Sequence, residues 1–222
     1  MFKNEVAEFI YKRTYSRWME DEGRREEWPE TIERFINFLV LKNGEKIPEK
    51  TVKKIRQYML EFAVMPSMRF LWSAGPAAEK DNTVIYNCSF AKLNCVEAFA
   101  ECLHILMCGT GFGFSVEEDE VSKLPSIPEI KSGKDIVREV IDDSREGWAD
   151  SVKTLMSSLY DGQNLYFDYS QLRPEGARLS TMGGRSSGPQ PLIKLHDFIR
   201  ETMHNAQGRK LTSLECHDIA NQ

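Results

Sequence analysis

The segment GTGFGFSV, residues 109–116, constrains the fold more strongly than any other part of the sequence. Its glycines stand at positions 109, 111 and 113, and Phe112, Phe114 and Val116 lie between and after them. This period of two predicts a β-strand. The segment follows a predicted helix, whereas the dinucleotide-binding GxGxxG fingerprint precedes one. The segment is therefore not that fingerprint. Because alternate residues lack a side chain, one face of the strand is bare, and a ligand or another backbone can approach it closely.

The segments on either side of this strand alternate between strand and helix patterns. TVIYNCSF is strand-like by its β-branched and aromatic content. The other predicted elements are a helix capped by Asn94 and ending at Gly109, a helix over 145–160 capped by Ser144 or Asp143, a strand over Leu165–Tyr169, a helix over Pro191–His204 and a last helix starting near Ser213. This order predicts an α/β sheet or barrel with crossover connections. Only four or five strands are expected, so the sheet is incomplete.

The N-terminal region has a different pattern, which predicts a small helical unit. Apolar residues recur at helical spacing over Glu5–Trp18, from Pro29 to Asn43, and over Glu49–Phe62. On the first of these helices the apolar stripe contains Val6, Phe9, Ile10 and Tyr15. The composition changes near Val64. We therefore predict a helical domain over 1–62 and an α/β domain over 63–222.

Composition and charge exclude several classes of protein. The 222 residues are 41% hydrophobic and 28% charged, and the net charge is −5. A general nucleic-acid or membrane-surface binder would carry a basic excess. No apolar run approaches the roughly 18–20 residues that span a bilayer, and the acidic N-terminus MFKNEVAEFI does not resemble a secretory signal. We expect a cytoplasmic protein, and an odd number of cysteines, five, fits a reducing compartment.

Among the cysteines, Cys88 is the candidate for chemistry. Cys95, Cys102 and Cys108 lie on one predicted helix, where a free cysteine is usually a small buried hydrophobe. Cys88 is predicted to end a strand beside Asn87, where α/β folds tend to place active-site side chains. No CxxC pair occurs, so neither a zinc nor an iron–sulfur site is predicted. The histidines form neither HExxH nor a triad spacing, and we expect them to be structural.

The segment STMGGRSSGPQPL, residues 180–192, is a glycine-rich loop. It is not a P-loop, because Gly188 is followed by proline where that motif requires lysine. Its composition predicts a mobile loop with few apolar anchors, and such loops in compact domains are often lids or binding loops.

Several segments together resemble one family. EFIYKRTYSRWMEDEGRREEW, MPSMRFLWSAG, NCSF, GTGFGFSV, DDSREGW and RPEGARLSTMGGRSSGPQPL follow one another in the order found in adenosylcobalamin-dependent (class II) ribonucleotide reductases, with the best match in the ribonucleoside-triphosphate reductase branch. The resemblance runs from about residue 8 to the C-terminus. It implies that the α/β domain is the first half of a ten-stranded α/β barrel, in which a thiyl radical starts nucleotide reduction.

The resemblance also implies site residues. Cys88 matches one of the two cysteines that supply electrons to the ribose and become a disulfide. Ser67, Asn87 and Gly111 match positions that hold the substrate. The segment Asp143–Trp148, with Asp143, Ser144 and Arg145, resembles part of the binding region for a deoxynucleotide specificity effector. The glycine-rich loop resembles the loop that selects the substrate base. In that loop Gly183, Gly184 and Ser186 are assigned to specificity and mobility, and we expect Arg185 to contact the substrate base or phosphate.

The family's radical cysteine, its asparagine and glutamate partners and its second redox cysteine have no match in this sequence. We therefore expect an N-terminal part of a reductase: a split-gene subunit, an interrupted product or a truncated form. Adenosylcobalamin is expected to bind mainly to the missing half. The implied partners are a second chain carrying that half, a ribonucleotide, a deoxynucleotide effector and a thioredoxin-like reductant. The alternative is a non-catalytic module that binds an effector or a partner. Exposed strand edges and an apolar face in an unfinished sheet favour the half-enzyme.

Overall fold

The computed structural model describes residues 2–130, 138–179 and 184–222. The described residues mix helices and strands and are 54% helical. The described residues form two compact units, the first over 2–87 and the second over 88–179 and 184–222. The domain boundary predicted at residue 62 stays a prediction.

The first unit is mainly helical. Its elements are α1 (Glu5–Thr14), β1 (Trp18–Met19), β2 (Arg24–Arg25), α2 (Trp28–Asn43), α3 (Glu49–Leu60), α4 (Met68–Ser73) and α5 (Pro76–Lys80), with 3₁₀ turns at Gly44–Lys46 and Asn82–Ile85. Pro29 lies in the first turn of α2, where its fixed φ angle favours the start of a helix, as the sequence indicated.

Helix α1 differs from its prediction in length and in orientation. It ends at Thr14 because Trp18 and Met19 pair with Arg25 and Arg24 in a short antiparallel hairpin. Within the described residues the apolar stripe does not face the core, since Val6, Phe9 and Ile10 are exposed. The buried residue of α1 is Tyr11, whose hydroxyl lies 2.7 Å from Thr31 Oγ1 and whose ring packs edge-on against Trp28.

The second unit alternates strands and helices. Its elements are β3 (Cys88–Lys92), α6 (Val96–Met107), β4 (Gly111–Ser115), α7 (Glu118–Val121), β5 (Arg138–Val140), α8 (Arg145–Tyr160), β6 (Tyr166–Asp168), α9 (Gln190–Asn205) and α10 (Ser213–Asn221). The first half of TVIYNCSF is a 3₁₀ turn instead of a strand. Helix α6 has Cys95 at its N-cap, and not Asn94 as was predicted. The side-chain amide of Asn94 donates to the Glu120 carboxylate instead of capping the helix.

Two strand–helix–strand units organise the second unit. Strand β3 pairs in parallel with β4 across α6, and β5 pairs in parallel with β6 across α8. A parallel pair requires such a crossover, which explains the alternation seen in the sequence. The prediction of mixed helix and strand with crossovers is confirmed for the described residues, whereas the half-barrel stays a prediction.

The core of the second unit lies between its helices. Fully buried Leu155, Met156 and Leu159 of α8 pack with Ile199 and Met203 of α9 in one cluster that also includes residues of α6 and α10. Within the described ranges, no helix has both the length and the apolar character that a bilayer crossing requires.

Candidate functional site

The candidate redox cysteine lies opposite a glycine at the start of a parallel strand pair. In the register of β3 and β4, Cys88 is the partner of Gly111, and Phe90 is the partner of Gly113. Both Cys88 and Gly111 are exposed. Cys88 begins its strand, so the prediction that it ends one is wrong. The cause is the 3₁₀ turn at Asn82–Ile85, which delays the strand until Cys88.

The strand face that carries Cys88 is open. Residues of β3 alternate between exposed and half-buried, with Cys88, Phe90 and Lys92 exposed. A Cβ placed on Gly113 would lie 3.6 Å from the Phe90 ring, in ordinary contact. The Ser89 hydroxyl donates to the Gly111 carbonyl at 3.1 Å and ties the two strands together. The thiol is therefore accessible beside a glycine that leaves room for another molecule.

Ser67 and Asn87 lie in the first unit. Ser67 is exposed and is the N-cap of α4, where its hydroxyl accepts the Phe70 amide at 3.1 Å. Asn87 is exposed and directly precedes β3.

Two arginines fix the other end of α4. Arg34 Nη1 donates to the Leu71 and Ala74 carbonyls at 3.1 and 2.6 Å, and Arg17 Nη2 donates to the Trp72 carbonyl at 2.7 Å. Arg34 is itself paired with buried Glu26 at 2.7 Å. A six-residue helix is marginal alone, so these contacts hold Ser67 in place.

The predicted effector residues form the start of α8. Ser144 is the N-cap, and its hydroxyl accepts the Gly147 amide at 2.9 Å, as the sequence indicated. Arg145 Nη1 donates to the Sγ of buried Cys108 at 3.0 Å. Gly147 is required here, because a Cβ would lie 2.4 Å from the Asp142 carbonyl oxygen.

The described part of the glycine-rich loop belongs to a small hairpin, which we call the glycine-rich hairpin (residues 176–179 and 184–186). The Gly176 amide donates to the Ser186 carbonyl at 2.9 Å, and the Ser186 amide donates to the Ala177 carbonyl at 2.8 Å. Gly184 and Arg185 are exposed, and Arg185 Nη1 donates to the Gly176 carbonyl at 2.9 Å. Gly183 lies outside the described residues.

An ion pair links Asp143, just before the start of α8, to Arg173, three residues before the hairpin. Arg173 Nε donates to Asp143 Oδ2 at 2.7 Å, and Arg173 Nη2 donates to the Asp143 carbonyl at 3.1 Å. Sequence reasoning did not select Arg173. Its only signal was its place in RPEGARLS, directly before the glycine-rich loop.

The other cysteines divide into buried and exposed groups. Cys102, Cys108 and Cys216 are buried, as expected for Cys102 and Cys108, but Cys95 is exposed and that prediction is wrong. Cys95 is the N-cap of α6 and lies outside its packed face. Burial raises the pKa of Cys102 to about 11 and that of Cys216 to about 12, so both thiols stay protonated at neutral pH.

The cavity of the second unit is too small for adenosylcobalamin. It has a volume of about 260 Å³ between α6, α8, α9 and α10, with Phe99, Leu103 and Trp148 in its wall. Pockets for drug-sized ligands are about 300–1,000 Å³, and a cobalamin is considerably larger than such ligands. The residues that line this cavity do not fit that cofactor.

Comparison with known proteins gives a consistent family. Residues 1–76 match the model of the ribonucleotide reductase alpha domain, and residues 117–203 match that of the B12-dependent ribonucleotide reductase insertion domain. The adenosylcobalamin-dependent ribonucleoside-triphosphate reductase of Lactobacillus gasseri is 28% identical over 98% of this chain and 38% of its own length. That of Euglena gracilis is 30% identical over 98% of this chain and 32% of its own length.

A solved structure agrees with these relatives. A crystal structure of a B12-dependent (class II) ribonucleotide reductase superposes with a TM-score of 0.81 and 26% identity, covering 96% of this chain and 39% of that one. The chain thus spans about a third of the length of the curated relatives that it matches. Two domain models, the relatives and the structure agree, and over nearly its whole length the chain is similar to adenosylcobalamin-dependent ribonucleotide reductases.

Proposed function

We propose that this chain is the N-terminal part of a reductase that converts ribonucleotides, as triphosphates, into deoxyribonucleotides. The observation that carries the proposal is the exposed Cys88 thiol opposite Gly111 on an open strand face. The names of the relatives, which are adenosylcobalamin-dependent ribonucleoside-triphosphate reductases, support the choice of substrate and cofactor. A second polypeptide, or a longer form of this chain, completes the α/β barrel and contributes most of the cobalamin site.

In the proposed reaction Cys88 is one of two reducing thiols. The C2′–O bond of the ribose breaks and the oxygen leaves as water, while a hydrogen takes its place on C2′. Cys88 and a second cysteine outside this chain lose two hydrogen atoms and form a disulfide, which balances the two-electron reduction. A thiyl radical on the completing part starts the sequence, and a thioredoxin-like protein reduces the disulfide afterwards.

The other site residues bind and select the nucleotides. Gly111 admits the substrate beside the thiol, because a side chain there would fill the space. Ser67 and Asn87 hold the substrate, and Arg185 contacts its base or phosphate. Asp143, Ser144 and Arg145 bind a deoxynucleotide effector. Gly183, Gly184 and Ser186 belong to the loop that carries the choice of substrate.

The test combines this chain with a polypeptide that corresponds to the remaining two-thirds of a relative. With adenosylcobalamin, a dithiol and ribonucleoside triphosphates, we expect deoxyribonucleotides, measured by chromatography. Cys88→Ser should abolish turnover. Cys95→Ser is the matched control, because Cys95 is also exposed but lies at the start of α6, and it should retain turnover.

Two outcomes would contradict the proposal. Turnover that survives Cys88→Ser would remove Cys88 from the reaction. Binding of a deoxynucleotide without reduction by any completed enzyme would instead favour the non-catalytic effector-binding module.

A further inference from the structure

The strand pair β3–β4 carries three phenylalanines, and one of them differs from the other two. Phe112 and Phe114 are half-buried, and their rings lie 6.4 Å apart. Phe90, in contrast, is 67% exposed. Exposed and half-buried residues alternate along β3, so the Phe90 ring stands on the same face of the sheet as Cys88. An aromatic ring therefore lies in the open beside the candidate redox thiol.

The Phe90 ring leans towards the neighbouring strand. Phe90 is the register partner of Gly113, and a Cβ placed on Gly113 would lie 3.6 Å from Cδ2 of the ring. An aromatic side chain that covers a glycine of the opposite strand is a stabilising cross-strand arrangement. The space that Gly113 leaves on this face is thus taken up by Phe90.

The other glycine of β4 on this face stays open. Gly111 is the register partner of Cys88, and both residues are exposed. Side chains two residues apart on one strand stand about 6.5 Å apart along it, so the Phe90 ring is one such step from the thiol. The open part of the face is therefore a short strip at Cys88 and Gly111, with the ring as its wall on one side.

The chemistry of this wall suits one part of a ribonucleotide. The phosphates are charged and the ribose carries hydroxyl groups, whereas the base is flat and has π-faces on which an aromatic side chain can stack. Phe90 offers a ring without charge and without a hydrogen-bonding group. The next residue on this face, Lys92, is paired with the buried carboxylate of Glu120 and is not free to bind phosphate. The end of the strip at Phe90 therefore fits the base.

We propose that Phe90 is a substrate-binding residue whose ring stacks on the base of the ribonucleotide held at Cys88. Stacking does not read the hydrogen-bonding pattern of a base, so Phe90 contributes about equally to the binding of all four ribonucleotides. This separates it from the glycine-rich loop, to which the choice of substrate is assigned. The inference rests on the proposed function, because it requires a ribonucleotide whose ribose lies at Cys88.

The test uses the completed enzyme with adenosylcobalamin and a dithiol. For each variant, kcat and KM are measured separately for the four ribonucleoside triphosphates. Removing an aromatic ring that stacks on a base lowers affinity by about 5–150-fold. We expect Phe90→Ala to raise KM within this range, by a similar factor for all four substrates. We expect kcat to stay within about twofold, because the ring contacts the ground state and the transition state equally.

Two other substitutions of Phe90 separate stacking from apolar bulk, and they also serve if Phe90→Ala does not fold. Phe90→Tyr keeps an aromatic ring and should keep KM within about twofold of the wild type. Phe90→Leu keeps apolar bulk without a π-face and should raise KM for all four substrates. Leu214→Ala is the matched control, because Leu214 is exposed to a similar extent, 68%, on α10 of the same unit, and it should leave KM unchanged.

Two further measurements distinguish substrate binding from other uses of an exposed ring. A ring that only covers Gly113 would change the free energy of unfolding in urea and leave KM as it is. A ring that packs against the completing polypeptide would change the Kd between the two polypeptides and leave KM as it is once they are fully assembled. We expect the Kd between the polypeptides to stay within about twofold in Phe90→Leu.

The stacking role and the proposed function fail in different ways. An unchanged KM in Phe90→Leu, a loss confined to the affinity between the polypeptides, or a rise in KM for some bases only overturns the stacking role while nucleotide reduction stands. Absence of reduction by the wild-type completed enzyme overturns the proposed function, and the role of Phe90 with it.

Discussion

Acidification should destabilise the second unit through one buried histidine, His196. The side chain is fully buried on α9, and its Nε2 lies 3.0 Å from Ser151 Oγ while its Nδ1 lies 2.7 Å from the Tyr169 hydroxyl. The Ser151 hydroxyl donates to the Trp148 carbonyl at 2.7 Å, so it accepts the Nε2 hydrogen. Nδ1 then accepts the Tyr169 hydrogen. Both nitrogens of the neutral imidazole ring therefore have a hydrogen-bond partner.

The expected loss follows from the difference in pKa between the folded and unfolded states. Burial, with a further contribution from the Arg200 charge, lowers the pKa of His196 from 6.5 to about 3. The unfolded chain therefore binds the extra proton first. Stability is unaffected above pH 6.5 and is lost as the pH falls from there towards 3. One pKa unit corresponds to about 1.4 kcal/mol, so this residue alone should cost about 2 kcal/mol at pH 5.

Urea unfolding of the chain at pH 8, 6.5 and 5, followed by circular dichroism, measures this loss. His196→Gln removes the titrating group and should flatten the pH dependence by about 2 kcal/mol between pH 8 and 5, even though it is less stable at pH 8. His204→Gln is the control, because His204 lies on the same helix and is only partly buried. Equal pH dependence in the wild type and His196→Gln would refute the reasoning.

Three further substitutions test the packing around the site. Gly147→Ala should lower the free energy of unfolding in urea by about 1–3 kcal/mol, because its methyl would lie 2.4 Å from the Asp142 carbonyl oxygen. Ala149→Gly in the same helix provides a comparison. An unchanged free energy of unfolding in Gly147→Ala would show that the turn relaxes freely. Ser144→Ala should cost about 0.5–2 kcal/mol by removing the cap of α8, with Ser157→Ala inside that helix as the control. Glu26→Gln should cost about 3–5 kcal/mol, because it leaves the Arg34 guanidinium buried without its charge partner at 2.7 Å; a thermal melt unchanged from the wild type would contradict this.

The sequence predicted elements well where one local pattern dominated. The helices from Pro29 to Asn43 and over 145–160 and the strand at Gly111 were expected from periodicity, caps and alternation, and the structure confirms them with the first helix starting one residue earlier. The errors have tertiary causes. Helix α1 stops early because a hairpin follows it, and the Asn94 side chain caps no helix because Glu120 binds it. TVIYNCSF is strand only from Cys88, since β-propensity depends strongly on the partner strand.

The candidate site was only partly accessible to sequence reasoning. Cys88 was selected from its neighbours in the sequence, but its place at the amino end of the strand, opposite Gly111, could not be derived without the register. The Arg173–Asp143 contact joins residues 30 positions apart, and no periodicity or spacing encodes such a pair. Burial of Cys108 was expected from its helix, whereas its contact with Arg145 was not.

Two residues at the start of α8, Asp143 just before its N-cap and Arg145 in its first turn, contact two other parts of the second unit. Asp143 contacts Arg173, which lies three residues before the glycine-rich hairpin. Arg145 contacts Cys108, which closes α6 directly before the strand that begins at Gly111. The Cys108 sulfur is fully buried and accepts a hydrogen bond from the guanidinium, whereas the Cys88 thiol is exposed. Because the two contacts involve two separate arginines, each can be removed on its own, by mutating Arg173 or Arg145.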